Sequence, residues 1–154
     1  PDGSVTSSTE HELKLGSVTL NAGILSMGNP HAVIVVDDCA ATPVAKIGPM
    51  IQTLDVFPDS VNVGFMEIKS RDAIALRVFE RGAGETLACG SGACAAVVHG
   101  ITLGLLSPEV TVDLPGGKLV VSWTGGKDAV WRSGPADTVF QGKFNLRETV
   151  CVTS

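Results

Sequence analysis

The first third of the chain alternates between apolar and polar positions. HELKLGSVTLNAGILSMG predicts two or three short strands with turns near Gly16 and Gly23. NPHAVIVVDD follows, and its continuous apolar run AVIVV predicts a buried strand entered through an Asn-Pro turn. TPVAKIGPMIQTL reads as a helix with Thr42 as cap and Pro43 at the first helical position, made short or kinked by Gly48-Pro49. VNVGFMEI and DAIALRVFE then predict paired strands joined by the polar turn KSRD.

The alternation stops at residues 92–106, GACAAVVHGITLGLL, which are almost entirely small or apolar. A helix that is apolar all round must be buried on all sides. Ala93, Ala95, Ala96 and Gly100 would let other backbone approach it closely. After Ser107-Pro108, VTVDLPGGKLVVSW and AVWRSGPADTVFQGKF predict hairpin-like strands around Pro-Gly-Gly and Gly-Gly-Lys turns. The expectation is an α+β fold: a single domain over 1–154 with a curled, mainly antiparallel sheet wrapped around one central apolar helix.

Composition narrows the function. At 154 residues and 44% hydrophobic content, the chain can bury a real core and is not a disordered segment. No apolar run reaches the roughly 20 residues of a membrane span. A net charge of −5, no Tyr and two Trp argue against nucleic acid, which needs a basic stripe or a stacking platform. The four cysteines (Cys39, Cys89, Cys94, Cys151) are too sparse for a disulfide scaffold, and no signal-peptide pattern opens the chain. A reduced, cytoplasmic protein is expected. The chain starts Pro-Asp-Gly without Met, which raises the expectation of a piece of something longer.

The chemistry concentrates in ERGAGETLACGSGAC, residues 80–94, where Cys89 lies among four glycines just before the apolar helix. Cys89, Cys94 and His99 are spaced by five, about 140° of helical rotation, so they diverge and are not expected to share a metal ion. No GK[ST] follows the glycines, which argues against a nucleotide phosphate loop. Free N–H groups at Gly90, Ser91 and Gly92, aided by the helix dipole, suit a carboxylate instead. The same dipole predicts a thiol pKa for Cys89 lowered towards neutrality. Taken alone, Cys89 also reads as a small buried hydrophobe. The flanking glycines favour a ligand, because they expose backbone instead of filling space. Cys39, Cys94 and Cys151 keep the packing reading, and His99 reads as a core histidine.

ERGAGETLACGSGACAA, together with GNPHAVIVVDD and VNVGFMEI, resembles the diaminopimelate epimerase family, and the likeness runs from about Met27 to SGPADTVFQGKF. The resemblance implies an isomerase without cofactor that interconverts LL- and meso-diaminopimelate in lysine and peptidoglycan synthesis. It implies two similar lobes, each placing one cysteine at the start of its central helix. This chain matches the C-terminal lobe, with residues 1–26 as interlobe entry and first strands. A final strand at about 138–146 is then expected to pack with the missing N-terminal lobe, which carries the second cysteine. Cys89 would serve as one acid or base, and His31 and Glu80 would tune or orient the thiols. Asn29, Asn62, Glu80 and Arg81 would hold the distal amino-acid end of the substrate, with the N–H groups of Gly90 and Ser91 on the carboxylate at the reacting carbon. A homodimer is the implied state of the intact enzyme. Two thiols fit the chemistry: no pyridoxal lysine motif is visible, so inversion needs a base on one face of the carbon and an acid on the other. With one thiol, the chain alone is expected to be inactive.

Singly, these residues have plainer readings. His31 serves as a loop histidine bonded to backbone, Asn29 as a turn former, Asn62 as a partner for a nearby carbonyl, and Glu80–Arg81 as an exposed pair. Three other functions remain open at this point: a proline-racemase-like or phenazine-biosynthesis-like isomerase, a thiol redox protein using Cys89 and Cys94, and a non-catalytic binding module.

Overall fold

The structure, a computed structural model, describes residues 9–143. Cys151 and the last part of the strand expected over 138–146 lie outside them; residues 134–143 carry no strand. Nine strands and two helices are present among the described residues. In chain order they are β1 (Thr9–Leu15), β2 (Val18–Ser26), β3 (Pro30–Val35), α1 (Val44–Gln52), β4 (Asn62–Ser70), β5 (Ala73–Glu80), β6 (Gly84–Thr86), α2 (Gly90–Thr102), β7 (Glu109–Leu114), β8 (Gly117–Ser122) and β9 (Trp131–Ser133).

All strands join one open sheet in the order β1-β2-β3-β4-β5-β7-β8-β9, with β6 also on β5. Pairing is mainly antiparallel, as expected, but β3/β4 and β5/β7 run parallel. Each parallel pair is bridged by a connection that contains a helix, α1 in the first case and α2 in the second. That is the connection parallel strands require.

Period-two alternation sorts the core into two clusters. Val33, Met66, Ile74, Leu76 and Val78 pack with Ala93, Ala95, Ala96, Val97 and Val98 of α2. Ala32, Ile34, Val63 and Phe65 point the other way and pack with Val44 and Ile51 of α1. Ala32, Val33 and Ile34 are therefore covered on both faces, which explains why the run AVIVV does not alternate, while Val35 at the end of β3 is exposed. Helix α2 is buried along most of its length and touches β2, β3, β4, β5, β8 and β9.

Several local expectations are corrected. Gly23 makes no turn; β2 runs straight through it. A Cβ there would lie 2.2 Å from the buried His99 ring, so the glycine serves close helix–sheet approach. Gly23→Ala should accordingly destabilise the chain by about 2–3 kcal/mol, read from the shift of its urea midpoint. Thr42 does not cap α1: its hydroxyl donates to the Asp38 carbonyl at 2.6 Å, and Pro43 occupies the cap position without a side-chain bond. The helix continues through Pro49, and Gly48 lies against Phe79. The apolar helix starts earlier and ends sooner than 92–106, because Gly104 turns left-handed at φ +73° and Leu105 N–H returns to the Gly100 carbonyl at 2.9 Å.

Candidate active site

Sheet topology brings the separated motifs to one end of the molecule. Parallel β3 and β4 both begin there, with His31 opposite Asn62 in register, and antiparallel β5 ends there at Glu80. The β5–β6 turn follows, with Gly82 in it and Gly84 at the start of β6 both at positive φ, and residues 87–89 then lead from β6 into α2.

Cys89 is the N-cap of α2, with extended backbone at φ −131° and ψ 107°. Its sulfur takes the place of the usual cap oxygen and accepts the Gly92 N–H at 3.4 Å. The Ser91 hydroxyl lies 3.7 Å from the sulfur. The N–H groups of Gly90 and Ser91, in the first turn, have no intrahelical acceptor. The approach to Cys89 is pinned by the β7–β8 turn, where Gly116 donates its N–H to the Leu87 carbonyl at 2.7 Å.

A polar chain leads away from the thiol. Asn29 Nδ2 donates to Ser91 Oγ at 3.3 Å, and Asn29 Oδ1 meets His31 Nε2 at 3.1 Å. Asn62 locks the neighbouring strands: it donates to the Pro30 carbonyl and accepts the Arg81 N–H, each at 3.0 Å. Glu80 accepts a hydrogen bond from the Thr86 hydroxyl across the β5–β6 turn. The Arg81 guanidinium, by contrast, turns outward onto the Asp59 carbonyl at 2.9 Å. Cys89, His31, Asn29, Asn62, Glu80, Gly90 and Ser91 thus gather around the start of α2, whereas Arg81 joins through its backbone. Arg81 follows Glu80 at the strand end, so the two leave the sheet in different directions.

Burial dominates the electrostatics. The Cys89 thiol is pushed up, chiefly by burial, with the Gly92 N–H and Ser91 hydroxyl pulling down and the Glu80 carboxylate pushing up again. This corrects the expectation of a lowered pKa: at 5% exposure, loss of water outweighs the donors of the first turn. In this chain Cys89 is a protonated thiol at neutral pH. His31 is lowered to about 4, again by burial, with the charge of Glu80 in opposition. It is therefore a neutral, hydrogen-bonded imidazole.

Two contributors were not singled out in the sequence. Thr86 is a short polar side chain that becomes relevant only once β6 pairs with β5. Arg132, on β9, places its guanidinium over the start of α2; Nη1 lies 1.4 Å from where a Cβ on Gly90 would be. Its one signal is the cation in AVWRSGPAD. Cys39, Cys89 and Cys94 are all free thiols, so no disulfide joins Cys89 to Cys94.

A family model described as diaminopimelate epimerase matches residues 23–139. A diaminopimelate epimerase of Alkalilimnicola ehrlichii is 54% identical over 137 residues, covering 89% of this chain and 49% of the relative. The diaminopimelate epimerase of Laribacter hongkongensis is 56% identical over 138 residues, covering 88% and 50%. The chain thus spans about half the length of the curated relatives it matches. Among solved structures, a hydroxyproline epimerase from Agrobacterium vitis matches with TM-score 0.53 and 14% identity, over 84% of this chain and 51% of that one. At that identity the likeness concerns the fold.

Proposed function

The chain belongs to the diaminopimelate epimerase family, and we propose on that premise that it supplies one of two catalytic thiols for inversion of an α-carbon in diaminopimelate. The observation that carries this is Cys89 at the helix start, linked through Ser91 and Asn29 to His31. The half of the relatives that this chain does not match would provide the opposing thiolate.

In one direction that thiolate removes the α-proton, breaking the C–H bond and becoming a thiol. The Cys89 S–H then delivers its proton to the opposite face of the same carbon. The raised pKa of Cys89 suits this donor role, since the sulfur reaches the encounter protonated. In the reverse direction the roles exchange. Gly90 and Ser91 N–H groups donate to the carboxylate beside the reacting carbon, where the developing negative charge also lies. Asn29, Asn62, Glu80 and Arg81 would hold the distal amino-acid group, Arg81 after its side chain leaves the Asp59 carbonyl. His31 stays neutral and orients Asn29. A cytoplasmic location accords with three free thiols, which a reducing compartment preserves.

The test compares the chain alone with the chain co-expressed with the unmatched half of a relative. In deuterated water, NMR of the α-proton of LL-diaminopimelate should show no turnover for the chain alone and sustained exchange for the pair. Turnover by the isolated monomer would refute the two-thiol mechanism.

A further inference from the structure

A cation is out of place at the start of a helix, where the peptide dipoles already gather positive potential. Arg132 nevertheless lies there, with its Nη1 in the space above Gly90. Among the described residues no carboxylate pairs with it and no acceptor receives its N–H groups. Its backbone is held by pairing with β8, where Arg132 stands opposite Val121. The side chain is exposed, so solvent rather than burial balances its charge. Its field still reaches one turn into α2: burial pushes the Cys94 thiol up, and Arg132 pulls it down. A local arrangement that opposes the helix dipole and lacks a protein counter-charge is one that a bound anion would complete.

We propose that Arg132 is a further substrate-recognition residue, which pairs with the carboxylate seated at the N–H groups of Gly90 and Ser91. The inference rests on the epimerase reading for the identity of the ligand, but the chemistry it claims is general: carboxylate selectivity at Cys89. A guanidinium presents several N–H donors in a plane and suits a carboxylate already held from below by backbone. Gly90 is then required twice, to expose its own N–H and to leave room for the guanidinium.

The full chain itself permits the test, without the opposing lobe and without turnover. Cys89 is alkylated in parallel with iodoacetate, which carries a carboxylate, and with neutral iodoacetamide; peptide mass mapping gives the two rates at that sulfur. Arg132→Gln should lower the iodoacetate-to-iodoacetamide ratio about threefold to fivefold, the range of an exposed ion pair. Arg132→Lys should retain more than half of the native ratio. Lys46→Gln, which removes an exposed charge on α1, should leave the ratio unchanged. Taking the ratio cancels any change in general access to the sulfur. An Arg132→Gln ratio equal to that of the native chain overturns the proposal, and so does an equal fall in Lys46→Gln. The epimerase reading fails separately, through absence of exchange in the assembled pair, whatever the alkylation ratio does.

Discussion

Cys89→Ser should reduce α-proton exchange by the assembled pair about 10²–10⁴-fold, the usual share of a positioned acid or base. Serine retains the cap, because its oxygen can accept the Gly92 N–H as the sulfur does. Helix α2 should therefore persist, with an unchanged far-UV circular dichroism spectrum. What is lost is acidity: an alkyl hydroxyl is a far weaker proton donor than even a buried thiol. Cys94→Ser provides the contrast. Its sulfur is one turn further on, in the half-buried part of α2, and the substitution should leave exchange within about twofold of native. Equal losses in the two variants would deny Cys89 its special place.

Acidification should weaken the fold well before the carboxylates titrate. His31 has a folded-state pKa of about 4 against an ordinary 6.5. Between those values the unfolded chain binds a proton that the folded chain refuses, so stability is present above pH 6.5 and drains away as pH falls towards 4. A shift of that size corresponds to about 3 kcal/mol. His99, lowered by burial with Glu10 in opposition, adds in the same direction. Urea unfolding at pH 7.0, 5.5 and 4.5 should show a falling midpoint at nearly constant slope. His31→Gln, which preserves a polar partner for Asn29, should flatten this dependence and leave the share of His99. An unchanged pH profile in that variant would mean that His31 does not carry the linkage.

The likeness to diaminopimelate epimerase was legible from three separated motifs in order, and the chain does belong to that family. That a helix begins close to Cys89 was legible for a more elementary reason, since glycines followed by a run of small apolar residues are local signals; that the Cys89 sulfur caps this helix emerged only in the structure. Other features were not. Gly23 looks like a turn residue in isolation, and only the approach of His99 from α2 gives it another purpose. Thr42 looks like a cap until Asp38 offers a better-placed carbonyl. β6 has three residues, too few for any periodicity to show.

The residues themselves pointed to the α+β class, the burial of α2 and Cys89 among its glycines, which follow from side-chain chemistry and from patterns a few residues long. Asn29, His31, Asn62 and Glu80 stood out only through the resemblance to the epimerase family. Tertiary structure decided which of them meet, through the parallel β3/β4 pairing that sets His31 against Asn62 across thirty-one positions of chain. It also decided the direction of the Cys89 shift and the arrival of Arg132 over Gly90. Desolvation and charge act through space, and the atoms that exclude water from a sulfur come from strands far away in sequence.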